Sequence, residues 1–350
     1  MKLSHAFVAL SVSFILMCGT ASGQLQINGA GATFPYPLIS KWSSVYHKLH
    51  PGIQVNYQSI GSGGGIRQLI EKTVDFGASD APMNDEQMKE RRQRRTPVVH
   101  IPWAMGAVVV TYNLLGINNT IRFDGATLAD IYLGRITKWN DVRLRTLNPD
   151  INLPDAPIIV VHRSDGSGTT YIFADYLAKV SSNWKAKVGV STSVNWPVGI
   201  GGKGNEGVAG QVKRTPNSIG YVELIYALQS NMPVAKIKNA DGVFVKPSIE
   251  SVTEAAAGAA KLMPEDLRVS ITNAPGKNAY PISSFTYALI YQNQAAAQRA
   301  KAVVEFVYWA ITEGQRYCSG LDYAPIPKAV QELAIKRLKL VNVNGESLLK

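Results

Sequence analysis

The sequence predicts an α/β fold of open mixed sheets flanked by helices, arranged as two lobes joined by two strand crossovers. Three observations point there. Apolar runs of strand length alternate with 3.6-residue helical patterns along the whole chain, which favours open α/β sheets over a sandwich or a bundle. The 350 residues suit two domains of ordinary size. No Pro/Ser-rich linker divides the middle, as expected if strands rather than a tether join the lobes.

Leu25 to Ala30 reads as the first strand. Leu38, Ile39, Trp42, Val45, Tyr46 and Leu49 then share one helix face, and Pro51-Gly52 stops that helix. Ile53 to Ile60 alternates as a second strand, followed by Gly61-Ser-Gly-Gly-Gly65 and a short helix to Thr73. Val74 to Ser79, Ala107 to Tyr112, Pro157 to His162, Ser218 to Val222 and Phe285 to Tyr291 are the further strands. Ile172, Phe173, Tyr176, Leu177 and Val180 mark a helix, and two more run from about Ala295 to Gly314 and after Pro327. With crossings near Met105 to Tyr112 and Ile282 to Phe285, residues 24–105 plus 285–350 form lobe 1 and 106–284 form lobe 2.

Residues 1–23 read as a secretory signal peptide. Lys2 precedes the apolar run Ala6 to Cys18, and Ala21, Ser22 and Gly23 offer a cleavage site. That run is too short to span a bilayer comfortably, and no later segment approaches the ~20 apolar residues of a membrane helix. Of the two cysteines, Cys18 lies in this segment, so Cys318 has no internal partner. Bulky Met17 argues against lipid attachment at Cys18.

The net charge is +11, and losing Lys2 with the signal leaves +10, a balance that suits nucleic acid, an anionic surface or small anions. The densest basic run, Lys89-Glu-Arg-Arg-Gln-Arg-Arg95, has no interleaved aromatic on which bases could stack. It reads as a solvated helix face or loop, and no nucleic-acid partner is expected.

One local pattern recurs where a strand ends and a helix begins: Gly31-Ala-Thr-Phe-Pro35, Gly61-Ser-Gly-Gly-Gly65, Gly77-Ala-Ser-Asp-Ala-Pro82 and Asp165-Gly-Ser-Gly-Thr169. The first amides of a helix lack intrahelical partners and carry partial positive charge, so such turns suit an anion. Glycine allows close backbone approach, and Ser and Thr add hydroxyl donors. Each turn alone is equally a helix cap; four at the carboxyl ends of strands in one α/β chain point to a shared site. Arg163, just before the fourth turn, could grip oxygens with two nitrogens or pair with Asp165. Asp80 would repel a general anion. It fits an oxyanion that still carries a proton, as phosphate does and sulfate does not; its other reading is a helix cap before Pro82.

Several blocks resemble the phosphate-binding protein of the bacterial phosphate-specific ABC transporter: Gly29 to Pro35, Val74 to Pro82, Asp130-Ile-Tyr-Leu-Gly134, Arg163 to Thr169, Gly201-Gly-Lys-Gly-Asn205, Ile219-Gly-Tyr-Val-Glu223 and Leu321-Asp-Tyr323. The resemblance spans nearly the whole mature chain. It implies a monomeric periplasmic receptor whose two lobes close over dehydrated inorganic phosphate, without cofactor, metal or catalytic residues. Its partners would be the permease subunits of the transporter with their ATPase. Carried across motif by motif, the contacts would be Thr33 and the Phe34 amide, Ser62, Asp80 accepting the phosphate proton, and Arg163, Ser167, Gly168 and Thr169. Asp165 would orient Arg163. The departures, the basic Arg91 to Arg95 run and Cys318, touch no ligand motif.

An enzyme is the main rival. The mature histidines His47, His50, His100 and His162 show no metal-ligand spacing. His162 lies next to Arg163 and so faces the other side of its strand. Ser62 and Ser167, the candidate nucleophiles, sit where amides would cradle an oxyanion. A P-loop reading of Gly201 to Asn205 fails on Pro197, where glycine is required, and on Gly204, where Ser or Thr must follow the lysine.

Overall fold

The computed structural model describes residues 24–349 apart from position 118, so the signal-peptide expectation, Cys18 included, lies outside the described residues. Eight strands, numbered in chain order, form the main sheet. They are β1 (Leu25–Gly31), β2 (Ile53–Ser59), β3 (Phe76–Ser79) and β4 (Val98–Asn113), then β5 (Ile159–Arg163), β6 (Ile200–Gly202), β7 (Ser218–Glu223) and β8 (Ser283–Tyr291). Their spatial order is β2-β1-β3-β8-β4-β7-β5-β6. The outer pairs are parallel, and the three central pairs, β3–β8, β8–β4 and β4–β7, are antiparallel.

The 16-residue strand β4 spans both halves of the sheet. Val98 to Ala107 pairs with β8, and Val108 to Asn113 pairs with β7. The sequence pattern placed this strand only at Ala107 to Tyr112, because His100 and Pro102 interrupt the apolar run before it. Proline lacks the N–H that a central strand needs, and here the register with β8 slips between Thr286 and Tyr287, where Tyr287 faces Pro102.

Helices follow the strands. After β1, β2 and β3 come α1 (Tyr36–Leu49), α2 (Ser62–Ile70) and α3 (Asp85–Gln93). After β5, β6 and β7 come α4 (Gly168–Val180), α5 (Gly204–Arg214) and α6 (Leu224–Gln229). Near the end lie α7 (Ala297–Ile311) and α8 (Lys328–Leu338). The α1 face Leu38, Ile39, Trp42 and Tyr46 is buried, as its spacing requires. Trp42 packs edge-on against Trp103 and donates from Nε1 to the Gly314 carbonyl at 2.8 Å. That carbonyl lies beyond the end of α7, where a 3₁₀ turn, Glu313–Tyr317, replaces the expected continuous helix to Gly314.

The basic run begins in α3, which is opened by a reciprocal cap between Asn84 and Gln87, and its last two arginines, Arg94 and Arg95, lie past the end of the helix. Arg92, Arg94 and Arg95 are exposed, but Arg91 is buried with its guanidinium on Glu90 at 2.7 Å, so the run is not uniformly a solvated face. Cys318 is buried and has no disulfide partner among the described residues, and burial pushes its thiol up to about 12, far from a reactive thiolate. Among the described residues no helix is long and apolar enough to cross a membrane.

Trp42→Ala should destabilise the protein by about 3–5 kcal/mol, since it leaves a cavity and an unsatisfied Gly314 carbonyl. Urea unfolding in phosphate-free buffer measures the loss.

Candidate functional site

The four turns singled out from sequence meet at the carboxyl ends of β1, β2, β3 and β5, on the line where the two halves of the sheet face each other. The Gly63 amide of the second turn donates to the Gly166 carbonyl of the fourth at 2.9 Å. Gly61 (φ +85°) opens α2 in a backbone region that favours glycine, and a methyl there would strike Asp165 Oδ2 and the Gly166 carbonyl. A methyl on Gly168 would strike Asp80 Oδ2 and Ser62 Oγ. These glycines are there because two loops and a carboxylate meet at contact distance.

All eight expected contacts and Asp165 fall in this cluster. Thr33, Phe34, Ser62, Asp80, Arg163, Ser167 and Thr169 are each at most 3% exposed, and Gly168 is buried too. Ser62 Oγ accepts from the Asp80 amide at 3.3 Å and lies 3.5 Å from Asp80 Oδ2. Ser167 caps α4, its Oγ accepting from the Thr170 amide at 3.0 Å. That leaves the Ser167 hydroxyl proton free, together with the Gly168 and Thr169 amides of the first helical turn. The Phe34 amide has no acceptor among the described residues.

Charge at the site is nearly balanced. Arg163 donates from Nε to Asp165 Oδ1 at 2.8 Å and from Nη2 to Oδ2 at 2.5 Å, and reaches Thr169 Oγ1 from Nη1 at 3.3 Å. Burial pushes the Asp165 carboxyl up, but the Arg163 guanidinium and the Gly204 amide outweigh it and hold the group below its ordinary range. Asp80 is not a helix cap: its Oδ1 accepts from Thr286 Oγ1 at 2.8 Å. Burial pushes its carboxyl up to about 7, against the opposing pull of Thr286, Arg163 and Ser62.

Sequence reasoning missed several members of the cluster. Asn205 donates from Nδ2 to Thr33 Oγ1 at 2.7 Å and to Thr169 Oγ1 at 3.1 Å. Tyr226 and Tyr323 donate their hydroxyls to the Thr33 and Phe34 carbonyls at 2.6 and 2.5 Å, fixing the first turn. Glu223 is fully buried at the end of β7. One of its oxygens accepts from the Ile225 amide and the other has no partner among the described residues, and burial pushes the acid well above its ordinary range. Asn205 and Glu223 lie in blocks quoted above, yet no local signal marks what they touch.

The histidines stand apart from the serines. His100 accepts from the Met83 amide on Nε2 and is pushed down to about 3 by burial, so it stays neutral. His162 stacks on Trp196, and His47 bonds the Ile53 carbonyl. Among the described residues no three His, Cys, Asp or Glu side chains gather as a metal site requires.

Asp80→Asn should raise the stability of the ligand-free protein at pH 8 by about 2–4 kcal/mol, because it removes a buried charge. The folded-state pKa of Asp80 lies above its unfolded value, so the wild type loses stability as pH rises from about 4 to about 7. The advantage of the variant should therefore fade as pH falls towards 4. Thermal melts across that range check the sign.

A family model described as a PBP superfamily domain matches residues 19–313. The phosphate-binding protein PstS of Xylella fastidiosa is 47% identical over 304 residues, covering 87% of this chain and 82% of its own. That of Pasteurella multocida is 45% identical, covering 92% of each. Among solved structures, a human phosphate binding apolipoprotein superposes with a TM-score of 0.71 at 19% identity, over 92% of this chain and 99% of its own. This chain belongs to the PBP superfamily and to the PstS family of phosphate-binding proteins.

Proposed function

We propose that this chain captures inorganic phosphate in the periplasm, between the two halves of its sheet, and delivers it to the permease subunits of an ABC transporter whose ATPase drives import. The observation that carries the reading is the burial of Thr33, Ser62, Asp80, Arg163 and Thr169, from four separate turns, in one cluster. Stripping water from an oxyanion costs many kcal/mol unless fixed donors replace it. Amides, hydroxyls and one arginine, itself neutralised by Asp165, do so here. In this reading residues 24–105 plus 285–350 form one lobe and 106–284 the other. The monomer closes over the ion, and the closed form is what the permease recognises.

Asp80 supplies selectivity by counting protons. Dibasic phosphate brings one, and whichever oxygen holds it, a hydrogen bond to Asp80 forms. Sulfate brings none and meets an ionised carboxylate lone pair to lone pair. A site built around such a bond disfavours the analogue lacking it, because the carboxylate is then left unpaired. The protein makes and breaks no covalent bond in this account. That fits histidines that bond Met83, Ile53 and Arg163 rather than Ser62 or Ser167.

Titration calorimetry should show tight binding of phosphate and arsenate and weaker binding of sulfate at pH 8. Equal phosphate and sulfate affinities would contradict the role of Asp80. Because that carboxyl titrates at about 7, sulfate affinity should rise about tenfold between pH 8 and pH 6 as the protonated form becomes a donor. Asp80→Asn should abolish this pH dependence. Phosphate affinity should change little between ~50 and ~200 mM salt, whereas binding to nucleic acid through many phosphates would fall by ~10³ or more.

A further inference from the structure

The contacts of Asn205 explain how two threonines become dedicated donors. A hydroxyl has one proton to give and two lone pairs to accept with, so by itself it presents either end to a ligand. Thr33 Oγ1 accepts from the Asn205 backbone amide at 3.2 Å and from Asn205 Nδ2 at 2.7 Å. Thr169 Oγ1 accepts from Arg163 Nη1 at 3.3 Å and from the second hydrogen of Asn205 Nδ2 at 3.1 Å. Both acceptor positions of each oxygen are occupied, and each hydroxyl has only its proton left to offer. The amide of Asn205 is fixed in the orientation that does this, since its Oδ1 accepts from the Glu223 amide at 2.9 Å. The side chain is fully buried, on the second residue of α5.

We propose that Asn205 is a positioning residue that locks the hydroxyls of Thr33 and Thr169 as donors to the bound oxyanion. The two threonines come from opposite halves of the sheet, one after β1 and one at the start of α4. Thr169 takes both its bonds from Arg163 and Asn205 of its own half, whereas Thr33 is locked only when the halves have met. This rests on the reading that the cluster binds phosphate, and it assigns no direct ligand contact to Asn205. The same bonds explain why glycine precedes this asparagine. Gly204 adopts φ +73°, which lets its own amide reach Asp165 while Asn205 turns toward the threonines.

The test is a double-mutant cycle read by phosphate calorimetry on wild type, Asn205→Ala, Thr33→Val and the pair. Asn205→Ala should weaken phosphate binding about 10- to 100-fold. The pair should lose at least threefold less than the product of the single losses, because without the Thr33 hydroxyl half of the role of Asn205 is gone. The same shortfall should appear with Thr169→Val. A merely structural asparagine would give losses that multiply. Multiplicative losses, or an Asn205→Ala affinity within about threefold of wild type, overturn the proposal. If Asn205→Ala melts below the assay temperature, Asn205→Ser replaces it in the cycle under the same two criteria. Failure of the wild type to bind phosphate would instead count against the proposed function.

Discussion

The structure depends on a buried guanidinium that has already been neutralised. Arg163 is 3% exposed, and Asp165 holds it through two short bonds before any anion arrives. An unpaired buried cation would be costly to the fold, and an unpaired anion site costly to the ligand. Pairing the arginine within the fourth turn lets the fold keep a strong bidentate donor without a large net field. The rest of the cluster is arranged around that pair. Gly204 donates to Asp165, Gly61 lacks the side chain that would strike it, and the free Nη1 of Arg163 reaches Thr169.

Around this pair, the sheet brings distant loops together. Since β4 is shared by both halves, the ends of β1 and β3 on one side and of β5 and β6 on the other face a common line. Asp80 reaches the cluster with Thr286, 206 residues away, across the β3–β8 pairing. Phe34 and Gly106 pack so closely that a methyl on Gly106 would strike the ring, and the unpartnered oxygen of Glu223 lies just beyond. Two acids, Asp80 and Glu223, thus lie near the meeting line, and burial pushes both above their ordinary range.

What the sequence disclosed is what local patterning can carry. Strand-to-helix turns rich in Gly, Ser and Thr are local, and all four were legible, as were the helix faces and most strands. The first half of β4 was hidden because Pro102 is tolerated only beside a bulge, where β4 carries the extra residue Trp103 opposite β8, and no local pattern announces it. Asn205, Tyr226 and Thr286 were hidden for a related reason. Each acts on a residue 172 to 206 positions away, and no periodicity encodes such a pairing. The upward push on the Asp80 carboxyl was hidden as well, because its cause is depth of burial, a property of the whole fold.

The central claim is that one dehydrated oxyanion sits where Asp80 and Arg163 approach each other. A crystal structure of the protein grown with phosphate tests this most directly. The account predicts a single tetrahedral anion between the halves, one of its oxygens within hydrogen-bond distance of an Asp80 carboxylate oxygen and another on Arg163. Phosphate bound only at the surface, or in the cleft without touching Asp80, would contradict it.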